Sequence, residues 1–168
     1  RDRIAIFHFG GHADGYRLLL ETAAGAPAAV DAGGLARFLA QQRGLQLVFL
    51  NGCSTEGQVA DMLMVGVPAV IATDQAVDDA QATTFATRFY RGLAGGAAIA
   101  AAYEEARAAM QMAGAPTYRH LGAAEVLQEA KGIPWRLHVR PGAEAVTSWS
   151  LPLAARDPLF GLPALPPL

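Results

Sequence analysis

Three short runs, "IAIFHF" (4–9), "LQLVFL" (45–50) and "VPAVIAT" (67–73), are apolar almost without interruption. A strand with one face in water alternates apolar and polar residues. A strand covered on both faces has no such need and reads as continuous apolar sequence. Between the runs lie segments of helical spacing. "DAGGLARFLAQQRG" opens on Asp31, suited to an N-cap, sets Leu35, Phe38 and Leu39 on one face, and closes at Gly44. "EGQVADMLMVG" turns Val59, Met62 and Leu63 inward. Further on, Ala82, Phe85, Phe89 and Leu93 share one stripe, and Ile99, Tyr103, Ala106 and Met110 another. Doubly covered strands alternating with helices predict an α/β fold: an open, mainly parallel sheet with helices on both faces.

The smaller pieces fit around this frame. "YRLLLE" and "PAAV" predict a hairpin around Gly25. Pro68 stands at the start of its strand, where a missing donor is tolerated. Beyond Pro116, "AAEVLQEA" reads as a helix. "PWRLHVR" and "AVTSWSL" read as a late antiparallel strand pair, with Trp135 and Trp149 in its core. The chain enters its first strand without an initiator Met and ends in "DPLFGLPALPPL", a proline-rich stretch with no period. Both ends read as cut from a longer polypeptide. The expected division is one domain over 1–151 and an extended linker over 152–168.

Composition narrows the function classes. The 168 residues are 52% hydrophobic and 17% charged, enough for one folded domain with its own core. Net charge is −2 and the cations are scattered, so no basic stripe marks a nucleic-acid or anionic-membrane surface. The apolar runs fall short of the roughly 18–20 residues of a membrane-crossing helix. A single cysteine makes no internal disulfide, which points to a reducing, cytoplasmic location.

In open parallel sheets, active sites gather beyond the carboxyl ends of the strands. His12, in "HFGGHADG", lies just past the first strand. Cys53, in "LNGCST", lies just past the next. Neighbouring strands are about 4.8 Å apart, so this edge can bring an imidazole to a thiol. The imidazole can take the thiol proton and later return it to a leaving amine. Cys53 also precedes a helix starting near Glu56, whose N-terminus favours an anion. The backbone N–H groups of Cys53 and of Ala13 are candidate oxyanion donors. Gly10, Gly11 and Gly52 suit places of close approach.

"FHFGGHADG" followed by "LQLVFLNGCST" resembles the CHAT domains of the caspase-like cysteine peptidases, a class that also includes caspases, metacaspases, gingipains and separase. The resemblance continues through "GVPAVIATDQAVDDAQATTFATRFYRGLAGG" and covers roughly residues 3 to 112. It implies the caspase-like form of the α/β sandwich. It implies His12 as general base and acid, Cys53 as nucleophile, and cleavage of a protein or peptide substrate without metal or cofactor. "NGCST" is not the cysteine signature of caspases, so aspartate specificity does not carry over. The strand and helix that precede the histidine strand in the family have no counterpart here. The tail from "PWRLHVR" onward resembles the join between an N-terminal CHAT domain and a nucleotide-dependent signalling ATPase of bacterial conflict systems. That implies covalently linked regulatory domains. An acidic residue after the third strand binds a basic P1 side chain in separase-like relatives, which makes Asp74 and Asp78 the candidates here.

Blander readings stand beside these. A lone cysteine is commonly a small buried hydrophobe. Asp78 is also a natural N-cap for the helix after it. His8 shares a strand face with Ile4 and Ile6 and reads as structural. His8 and His12 are four apart, as in zinc motifs, but such motifs need a helix and a Glu after the first His, and Phe9 and a glycine pair stand here instead. "GGHADG" lacks the glycine pattern of a phosphate loop. His120 and His138 have no ligand-spaced partners. The reading from another class is a catalytically inactive CHAT-like signalling or docking module.

Overall fold

The computed structural model describes residues 4–13, 17–22, 24–113 and 132–152. In chain order the elements are β1 (Ile6–Gly10), β2 (Arg17–Glu21), β3 (Pro27–Asp31), α1 (Ala32–Ala40), β4 (Leu47–Asn51), a 3-10 turn (Thr55–Gln58), α2 (Val59–Met64), β5 (Ala69–Thr73), α3 (Asp79–Ala94), α4 (Ile99–Met112), β6 (Trp135–Val139) and a second 3-10 turn (Glu144–Ser148). Four strands form one sheet in the order β1-β4-β5-β6. The first three run parallel and β6 is antiparallel to β5. β2 and β3 form the predicted hairpin, with Gly25 in its turn at a φ of 77°.

Strand parity explains why the runs are apolar throughout. Leu47 and Phe49 of β4, with Ala69 and Ile71 of β5, pack under α3 and α4 against Phe85, Phe89, Leu93, Ile99 and Tyr103. Val48 and Leu50, with Val70 and Ala72, face the other way onto Leu39 of α1 and Met62 of α2. β4 and β5 thus each feed two cores, one per layer of helices. This is a three-layer α/β sandwich of caspase-like type, as predicted. The helical stripes hold on α3 and α4, where Phe85, Phe89, Leu93, Ile99, Tyr103, Ala106 and Met110 are all buried. The Asp31 carboxylate caps α1, accepting from the Gly34 N–H at 2.8 Å. Among the described residues no helix is long and apolar enough to cross a membrane.

Three expectations need correction. Phe38 is 58% exposed; Ala32, Ala36 and Leu39 carry the buried face of α1. That helix stops at Ala40, capped by Gln41, short of Gly44. The late strand pair is absent among the described residues: β6 pairs with β5, and residues 144–148 wind into a 3-10 turn. Local hydrogen bonds favour the turn. The Glu144 carboxylate accepts from the Gly142 N–H at 2.9 Å, and the Thr147 hydroxyl donates to the Glu144 carbonyl at 2.8 Å. Both tryptophans still reach the core, Trp135 fully buried and Trp149 partly. The helix expected over 123–130 and the linker after 152 lie outside the described residues.

Candidate active site

The β1–β4 ladder brings the two loops level. Every pair is offset by 41 residues, from Ile6 opposite Leu47 to Gly10 opposite Asn51. His12 and Cys53 follow the strand ends by two residues each, with the same numerical offset, 53 − 12 = 41. The loops also touch. A Cβ on Gly52 would stand 2.7 Å from the Gly11 carbonyl oxygen, 3.1 Å from the Ala13 Cβ and 3.2 Å from the Phe9 ring. Only glycine allows that approach, which accounts for the residue before Cys53.

Each loop is tied down from behind. The Leu19 N–H of β2 donates to the His12 carbonyl at 3.0 Å, and Ala13 bridges to the wholly buried Leu18. The hairpin therefore carries the His12 loop. His12 is exposed, and among the described residues its ring makes no hydrogen bond. On the other side, Ser54 adopts a left-handed conformation (φ 52°) and its N–H donates to the Gln75 carbonyl at 3.2 Å. Cys53 is half-buried, and its thiol donates to the Val77 carbonyl at 3.5 Å. The helix after it begins as a 3-10 turn at Thr55 and becomes α2 only at Val59. The expected helix N-terminus beside Cys53 is therefore a tight turn leading into a short helix. Buried Asn51 braces the base of the loop: its Nδ2 donates to the Ala82 carbonyl at 3.0 Å, and its Oδ1 accepts from Trp135 Nε1 at 2.9 Å.

Beside these loops opens a cleft of about 790 Å³. Gly10, Gly11, His12, Asn51, Gly52 and Cys53 line one side, and Val77, Asp79, Ala82 and Thr83 face them. It runs on along α3 past Ala86, Thr87, Tyr90 and Arg91. His8, inside β1 as expected, lines it too. β1 ends the sheet among the described residues, and His8 is exposed at that edge. The His8 ring stacks on Phe49 (centroids 4.6 Å apart, planes 7° apart) and lies 5.4 Å from Tyr90. Burial of that face pushes the imidazole pKa below 6.5, because desolvation penalises the charged form. Burial also pushes the Tyr90 phenol up to about 12. Tyr90 is therefore a neutral wall of the cleft near pH 7.

The acids of this edge divide by role. Asp74 pairs with Arg136 at 3.1 Å, and Asp78 caps α3 by accepting from the Gln81 N–H at 2.8 Å. Neither lines the cleft; Asp79 does. His138 meets Glu56 at 3.0 Å, away from the cleft lining. His120 lies outside the described residues. Among the described residues no three His, Cys, Asp or Glu side chains group as metal ligands. The sequence analysis took His8 as structural and passed over Tyr90 and Asn51. Asn51 left a trace, being the one polar residue closing an apolar run before Gly52.

An open α/β sheet that sets a histidine loop and a cysteine loop side by side at its carboxyl edge has the layout of a caspase-like domain. The chain belongs to the CHAT domain family, whose model matches residues 2–155. No curated protein is significantly similar to it.

Proposed function

We propose that the chain is a cysteine endopeptidase domain with His12 and Cys53 as its dyad. The observation that supports this reading is the close approach of the two loops at Gly52, past the ends of the paired strands β1 and β4. His12 takes the Cys53 proton and the sulfur attacks the scissile carbonyl. The tetrahedral oxyanion meets the backbone N–H groups of Cys53 and Ala13. The intermediate collapses to a thioester as His12 protonates the leaving amine. Water, with its proton drawn off by His12, then releases the acid. No step calls for a metal or cofactor. The cleft along α3 offers room for a protein or peptide substrate beside the nucleophile. In this reading the domain serves a regulated bacterial signalling or defence protein in the cytoplasm, with linked domains controlling its activity.

For a basic P1 side chain, proposed from Asp74 and Asp78, the cleft adds a third acid, Asp79. The two named first are engaged in an ion pair and a cap, so Asp79→Asn is expected to lower cleavage after Arg or Lys most.

The alternative is a catalytically inactive CHAT-like signalling or docking module, in which the Cys53 thiol keeps its hydrogen bond to the Val77 carbonyl. The full-length protein and its Cys53→Ala variant, incubated with a peptide library, decide between them. The dyad predicts cleavage by the wild type alone. Equal cleavage by both, or no cleavage together with no labelling of Cys53 by a peptidyl thiol-reactive probe, supports the module.

A further inference from the structure

Two buried threonines form a clasp behind the cysteine loop. Thr55 and Thr73 are both fully buried, with hydroxyl oxygens 3.2 Å apart. Thr73 Oγ1 donates to the Gly52 carbonyl, and Thr55 Oγ1 donates to the Leu50 carbonyl at 3.0 Å. A hydroxyl has one proton and two acceptor sites. With the protons committed, each oxygen accepts the other residue's amide. Thr73 N–H reaches Thr55 Oγ1 at 3.0 Å, and Thr55 N–H reaches Thr73 Oγ1 at 3.3 Å. A valine at either position would match the shape and lose the bonds that its hydroxyl makes; valine at 73 leaves the Gly52 carbonyl without its donor.

The clasp fixes the peptide between Gly52 and Cys53. No peptide bond in the described chain is cis, and in a planar trans peptide the carbonyl and the N–H point in opposite directions. The Gly52 carbonyl points inward at Thr73 on β5. The Cys53 N–H therefore points away from Thr73, and both residues of this peptide line the cleft. Among the described residues this amide has no acceptor.

We propose that Thr73, braced by Thr55, is a positioning residue that aims the Cys53 amide at the oxyanion. The assignment rests on the dyad reading. When the sulfur–carbon bond forms, the carbonyl π pair moves to oxygen, and the Cys53 N–H donates to that oxygen without giving up its proton. Thr73 touches no substrate and acts through the Gly52 carbonyl.

The test compares full-length wild type, Thr73→Val and Thr73→Ser on a peptide substrate and on a peptide aldehyde. The aldehyde's thiohemiacetal oxygen occupies the oxyanion position. Thr73→Val is expected to lower kcat about 10- to 100-fold with KM nearly unchanged, and to weaken aldehyde binding by a similar factor. Alkylation of Cys53 by iodoacetamide, which develops no oxyanion, should keep its rate. Thr73→Ser should restore kcat. An active wild type with unchanged kcat in Thr73→Val, or an equal loss in Thr73→Ser, overturns this assignment alone. If Thr73→Val does not fold by near-UV circular dichroism, Thr73→Cys takes its place. Its weaker S–H donor should give an intermediate kcat, and a wild-type kcat there overturns the assignment. A wild type that neither cleaves nor binds the aldehyde overturns the dyad reading and this assignment together.

Discussion

Gly52 sits where the His12 and Cys53 loops meet, and its missing side chain sets how closely they approach. Alanine there would put a methyl 2.7 Å from the Gly11 carbonyl oxygen, which is backbone and not easily moved. Gly52→Ala should therefore cost about 1–3 kcal/mol in urea denaturation and separate the loops. Unaltered stability and activity would show that the contact does not matter. His8 gives a second prediction. Its pKa is lowered in the fold, so the unfolded chain binds the proton more readily. Its contribution to stability is full above pH 6.5 and declines as pH falls toward the lower folded value. Melting curves between about pH 7 and pH 5 should fall less for His8→Gln than for the wild type; parallel curves would refute this. That the loops carrying His12 and Cys53 lie side by side was legible because both follow strand ends in neighbouring strands. The threonine clasp was not: its partners lie 18 residues apart, and nothing local marks two threonines as facing each other.

At the scale of elements, β6 locks the cysteine edge to the far side of the sheet. The Trp135 ring stacks on Phe85 with centroids 4.3 Å apart, while its indole N–H donates to Asn51. Trp135→Phe keeps much of the stacking and leaves the buried Asn51 Oδ1 without its donor. A loss of about 1–3 kcal/mol is expected by chemical denaturation; wild-type stability would mean that the bond contributes nothing net. Long elements were readable because periodicity accumulates over many residues. α3 and α4 kept their predicted stripes, and β4 and β5 their double cover. "AVTSWSL" was misread because alternation over a few residues is weak, and side-chain bonds at Glu144 and Thr147 outweigh it. Phe38 was misread because α1 turns small residues, Ala32 and Ala36, toward the core instead.

Across the described residues, two cores flank the four-stranded sheet, and the proposed site lies at the edge where β1, β4 and β5 end. The hairpin holds one loop, the β5–α3 connection holds the thiol of the other, and the cleft opens beside both. This layout makes a specific claim, that His12 acts on Cys53. The most direct measurement is the rate at which iodoacetamide alkylates Cys53 at neutral pH in wild type and His12→Ala, both shown to be folded. A working dyad predicts alkylation slowed about 10-fold or more in His12→Ala, because the thiol then lacks its base. Equal rates in the two proteins would contradict the account.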